Sequence, residues 1–129
     1  CPNSIAQYAA VEALSGDQSQ VLSMAKIFNK RRNLIVNGLN SIENIKCEIP
    51  NGAFYVFPDI SYFINKTYNG DKINSCYDLS LLLLNEKYIV TVSGEPFGAP
   101  NNMRFSYATS EEIINQTLIG LRELLALVK

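Results

Sequence analysis

The 129-residue sequence is 47% hydrophobic and 18% charged with a net charge of −1, which is the composition of a folded globular chain and excludes a disordered one. Near neutrality offers no electrostatic pull toward nucleic acid or an anionic membrane, and no apolar run approaches the length of a membrane span. There is no His, and Cys1, Cys47 and Cys76 are widely spaced, which excludes imidazole-based triads and argues against a Cys/His zinc site or a disulfide framework. Packed, reduced thiols of a cytoplasmic protein are expected, in one domain spanning 1–129. The chain begins at Cys1 without Met or a signal pattern and is expected to be a piece of a longer protein.

Ser4-Ile5-Ala6-Gln7 reads as a capping box, with Ser4 as the cap, opening a short helix that Ser15-Gly16 closes. Asp17 is placed to cap a second, longer helix reaching about Leu39. Its apolar stripe is Val21, Met24, Ile27, Phe28, Leu34, Ile35 and Leu39, and Gly38 and Asn40 are read as loosening its end. Lys26, Lys30, Arg31 and Arg32 form a basic stretch, read as a solvated face.

Alternation of Ile45, Cys47 and Ile49 predicts a strand. The Pro50-Asn51-Gly52 turn and the run Ala53–Phe57 complete a predicted hairpin. Residues 61–74 read as a polar surface loop around Asn69-Gly70. Ser75 with Asp78 starts a third helix with Leu79, Leu82 and Leu83 inside. Ile89–Val92 predicts a third strand and Met103–Ala108 a fourth. Thr109 with Glu112 reads as a second capping box, before a helix with Ile114, Leu118, Leu121, Leu125 and Val128 on one face. The order ααββαββα gives an α+β fold, a small, mainly antiparallel sheet covered by helices.

Ser93–Ala108 is the stretch with chemical content. Gly94, Pro96, Gly98 and Pro100 shape a loop that runs into the last strand. Met103, Phe105 and Tyr107 then point to one face and Arg104, Ser106 and Ala108 to the other. A guanidinium is a rigid planar fork that matches a carboxylate with two parallel hydrogen bonds. By composition alone Arg104 reads as an exposed strand arginine, with an anion site as the alternative. The Ser23-to-Lys26 match to S-x-x-K lies mid-helix without its companion motifs and is set aside.

Four segments in order resemble the C-terminal small domain of pyridoxal-phosphate-dependent aminotransferases of the aspartate aminotransferase family, fold type I. They are Ser4–Ala10 with Glu12-Ala13-Leu14, Asn51–Tyr55, Gly94 with Phe97-Gly98, and Met103–Ala108 with the capped helix after it. The resemblance implies a fold of the aminotransferase small-domain type. It implies that Arg104 binds the substrate α-carboxylate, and it offers Phe54, Tyr55 and Phe97 as candidates to line the cleft, although core packing is the role expected of each. It implies a longer, homodimeric, cytoplasmic parent that moves an amino group between an amino acid, aspartate foremost, and a 2-oxo acid with pyridoxal 5'-phosphate. Residues 1–40 are then a helical segment linking to a large domain outside this chain.

None of Lys26, Lys30, Lys46, Lys66, Lys72, Lys87 and Lys129 matches the family's cofactor lysine site. The resemblance therefore places no catalytic residue in this chain, which is expected to be inactive alone. Ser93 stands where the family often has Pro. Two other readings stay open: another fold-type-I enzyme, such as a carbon–sulfur lyase or an acyl-transferring synthase, and a non-catalytic module that binds carboxylates.

Overall fold

In the computed structural model, which describes residues 1–129, the chain runs α1 (Ser4–Ser15), α2 (Ser19–Asn40), β1 (Tyr55–Val56), β2 (Thr67–Tyr68), β3 (Asp71–Lys72), α3 (Cys76–Lys87), β4 (Val92–Ser93), β5 (Met103–Ser106) and α4 (Glu111–Leu125). Single 3-10 turns sit at Ser61–Phe63 and Glu95–Phe97. The main sheet is antiparallel with order β1-β5-β4, so β5 is the central strand. The α+β reading holds.

The side-chain alternation of β5 decides which face is covered. Met103, Phe105 and the following Tyr107 are buried, and Ser106 is exposed. On the buried side α2 packs along α4, and α3 packs on α4. Val36 and Leu39 of α2, Leu79 and Leu83 of α3, and Ile114, Leu118, Leu121 and Leu125 of α4 join those strand residues in one core. Each such side chain contributes about 1.5–3 kcal/mol on burial. The stripe predicted for the last helix is buried throughout, including Val128 beyond its end.

Each helix starts at a polar side chain, in two cases one residue away from the position read in the sequence. Asn3, not Ser4, caps α1, its Oδ1 accepting from Ile5 N at 2.8 Å and from Ala6 N. Gln7 turns back to Pro2 O instead of closing a capping box. Ser110, not Thr109, caps α4 by accepting from Ile113 N. Ser75 caps α3 as expected, through Asp78 N. Asp17 binds the first amide of α2, Ser19 N, at 2.9 Å, although the residue flanking that helix is Gln18. Gly38 does not loosen α2. It lies inside the helix, where a Cβ would run into the Leu118 side chain, so it sets the close approach of α2 to α4.

Two predicted strands shrink for identifiable reasons. Of the 45–49 strand only an isolated bridge, Lys46 to Asp59, remains, because the Asn40 amide takes both Cys47 N and Cys47 O at 2.8 Å. The ladder partner of β1 is therefore β5 and not the expected hairpin neighbour. Of Ile89–Val92 only Val92 pairs, because Tyr88 turns the chain left-handed (φ 56) and sends Ile89 back into the core. The 61–74 segment is more ordered than a surface loop. It holds the β2–β3 hairpin about Asn69-Gly70 and buries Phe63 and Ile73.

The basic stretch of α2 is partly engaged within the chain. Lys30 pairs with Glu111 at 2.8 Å, Arg32 donates to Pro50 O, and Arg31 lies over the Phe28 ring. At the other extreme, α1 buries no residue, and Val21, Met24 and Ile27 of α2 are exposed. The stripe read along α2 meets the core only from Phe28 onward.

Burial pushes the Cys47 thiol up to about 11 from its ordinary value of 9.0. The folded chain keeps this proton where the unfolded chain has lost it. The resulting stabilisation is constant below pH 9 and declines as pH rises from 9 toward 11. Urea midpoints should therefore drop between pH 8 and pH 10.5, and less so in Cys47→Val; equal drops in both chains would contradict the assignment.

Candidate functional site

Outside the core, β5 presents a second face with no helix over it. Arg104 stands there, half-buried, paired through the backbone with Val92 of β4. Its guanidinium carbon lies 4.5 Å from the centre of the Tyr55 ring and 5.0 Å from that of Phe97. Tyr55 comes from β1 and Phe97 from the 3-10 turn after β4, so one ring is supplied by a strand beside β5 and the other by the loop that leads into it.

The Arg104 guanidinium donates no hydrogen bond within the chain. The two ion pairs of the molecule, Lys30–Glu111 and Lys87–Glu123, both leave it out. A cation held by ring faces and lacking an internal anion keeps its N–H edge available. Beside this group, a groove of about 560 Å³ runs over Tyr55, Phe57, Asp59 and Asn102. A smaller depression of about 330 Å³, between the end of α2 and α4, includes none of these rings and lies apart from Arg104.

The rings are themselves supported. Phe97 meets Phe57 edge-on with centroids 6.1 Å apart, and Tyr55 packs on Phe54 at 4.7 Å. Phe54 does not reach Arg104; it leans on Phe28 of α2. Thus Tyr55 and Phe97 are brought to the arginine, and Phe54 stands behind them. Behind β5, the Tyr107 hydroxyl donates to Ala53 O at 2.8 Å, which fixes the left-handed turn (φ 60 at Ala53) from which β1 starts.

The turn that carries Phe97 has its own anchors. Phe97 N and Ala99 N both donate to Gly94 O, at 2.9 and 3.0 Å. A Cβ on Gly94 would collide with the carbonyl oxygens of Ala99 and Asn102, so only glycine fits. The Glu95 carboxyl is held below the usual carboxylate range, first by the Ser93 hydroxyl and further by backbone amides that include Tyr77 and Cys76 at the start of α3. The loop is tied to the start of α3 by the Cys76 thiol, which donates to Asn102 O at 3.1 Å, a role that composition and spacing do not announce.

A family model of class I and II aminotransferases matches residues 1–119. The chain belongs to this family. It is 45% identical over 116 residues to an aspartate/prephenate aminotransferase of Cereibacter sphaeroides, covering 89% of this chain and 29% of that relative. It is 40% identical to an aspartate aminotransferase of Rhizobium meliloti, covering 92% and 29%. A crystal structure of an aspartate aminotransferase from Rhizobium meliloti superposes with a TM-score of 0.94 at 35% identity, over 100% of this chain and 32% of that one. The chain thus spans under a third of the length of these relatives.

Aminotransferases of this family generally depend on pyridoxal phosphate. The surroundings of Arg104 do not make a complete seat for that group: two aromatic rings lie against the guanidinium, and Lys46 is the one lysine lining the adjoining groove, which it shares with the carboxylates Glu48 and Asp59. What the site offers is a fixed cation on an open face.

Gly94→Ala is expected to destabilise the chain by about 1–3 kcal/mol, because backbone carbonyls and not a pliable side chain stand in the way. Urea unfolding of the two chains measures this. An unchanged midpoint would show that the turn is not fixed as described.

Proposed function

We propose that this chain is the substrate-carboxylate side of an aminotransferase that transfers an amino group from an amino acid, aspartate by preference, to a 2-oxo acid. Arg104 holds the α-carboxylate in a bidentate pair. The observation that carries this reading is the guanidinium itself: mid-strand, gripped by two rings, and without any anion of its own. The preference for aspartate rests on the names of the relatives, which are aspartate and aspartate/prephenate aminotransferases.

In this reading the protein contributes orientation. Two parallel hydrogen bonds from a guanidinium fix both the position and the plane of a carboxylate. The α-carbon attached to it is then presented in one direction, which lowers the entropic part of the barrier. Pyridoxal phosphate, held by residues outside this chain, would supply the electron sink for breaking a bond at that carbon. Its lysine is proposed to lie outside these 129 residues, so this chain alone is inactive.

The exposed helices support a larger parent. On α1, Ile5, Tyr8, Val11 and Leu14 are exposed, and alanines fill much of the remaining surface. A helix that is apolar all round is normally enclosed by other structure. Nothing in this chain encloses α1, yet the threefold longer solved relative superposes over the chain's full length. We infer that α1 and the first half of α2 pack against the part of the polypeptide that this chain lacks, making residues 1–40 the link to it.

Arg104→Lys in the full-length protein keeps the charge and loses the fork. It is expected to lower kcat/KM for aspartate about 10- to 100-fold, mainly through KM. Unchanged kinetics would remove Arg104 from the site.

A further inference from the structure

The rung on which Arg104 stands is fastened by a side chain two residues before it. We infer that Asn102 is a positioning residue for Arg104: its amide holds β1 to β5 at the rung of the guanidinium and so sets where the fork meets a carboxylate. This inference rests on the reading of Arg104 as the carboxylate ligand.

The backbone ladder is thin at this point. The pairs Val56–Phe105 and Asp59–Asn102 place Phe57 opposite Arg104. Met103 N donates to Pro58 O at 3.1 Å, but Pro58 has no N–H to return. The Asn102 side chain supplies a bond here, its Nδ2 donating to Phe57 O at 3.0 Å. The acceptor is thus the carbonyl of the residue that faces Arg104 across the sheet.

Asn102 is itself held from two other sides. Its backbone N–H donates to Ala99 O at 3.0 Å, in the loop that carries Phe97. Its carbonyl accepts from the Cys76 thiol at 3.1 Å, at the start of α3. One residue therefore joins β1, the 94–102 loop, α3 and β5. The alternation that β5 continues puts Asn102 on the face of Arg104, and Phe57 and Asn102 both line the groove beside it. The Phe57 ring in turn meets Phe97, whose ring lies 5.0 Å from the guanidinium carbon. Without the Asn102 amide, Phe57 and Phe97 are freer to shift relative to the arginine. Such a shift harms a two-bond match to a carboxylate more than a single charge contact, because the match alone depends on both position and plane.

The test is a double-mutant cycle in the full-length protein with aspartate as the amino donor. Asn102→Ala should raise KM about three- to tenfold while kcat changes less than about twofold. In the Arg104→Lys background, where the fork is already gone, the same substitution should move KM less than about twofold. A residue that merely supports the fold raises KM by the same factor in both backgrounds. That result overturns the inference, as does an unchanged KM in Asn102→Ala. If Asn102→Ala does not fold, Cys76→Ala, which withdraws the thiol from Asn102 O, goes through the same cycle. A KM increase confined to the chain with Arg104 supports the inference, and an equal or absent increase overturns it. If Arg104→Lys alone leaves KM unmoved, the carboxylate reading fails and Asn102 has nothing to position. If Arg104→Lys weakens aspartate and Asn102→Ala does not, only the role of Asn102 fails.

Discussion

The two-sided character of β5 is the constraint on which the rest of the structure depends. Backbone pairing with β1 and β4 fixes the strand, and its period of two sends Met103, Phe105 and Tyr107 inward. The burial of those three specifies the register strongly, since a slip by one residue would turn all of them to solvent. The same alternation leaves Arg104 no choice but the open face. The core thus positions the site: helices on one side of the sheet hold an arginine aimed out of the other.

How the arginine is held matters for what it does. A carboxylate partner within the chain would fix Arg104 but occupy its N–H edge. Aromatic faces fix it and leave that edge unspent. Gly94 and Cys76 then act at one remove, since the Gly94 carbonyl closes the turn on which Phe97 rides and the Cys76 thiol ties the loop to the start of α3. Tyr107 and Ala53 do the same on the other side, by fixing where β1 begins.

Much of this was legible in the sequence because its signals were local. The alternation Met103-Arg104-Phe105 gave the faces of β5 directly, and the spacing from Ile114 to Val128 gave the buried side of α4. The caps slipped by one residue because Asn3-Ser4 and Thr109-Ser110 each offer two adjacent acceptors, and propensity does not say which one reaches the amide. The 45–49 strand was overturned by a long-range rival, the Asn40 side chain, that no periodicity reveals. The hairpin within 61–74 did carry its signal in Asn69-Gly70, but the burial of Phe63 and Ile73 that fastens it is tertiary. At the site, Tyr55 and Phe97 were expected to pack in the core and stood only as candidates for the cleft, because their position over Arg104 depends on β1 and the loop after β4 meeting β5 from both sides.

The most direct measurement is a crystal structure of the full-length protein with an amino-acid substrate bound. The account predicts both α-carboxylate oxygens within about 3 Å of the Arg104 guanidinium nitrogens, in the plane of the fork. A carboxylate seated elsewhere, with Arg104 still free or turned to solvent, would contradict it.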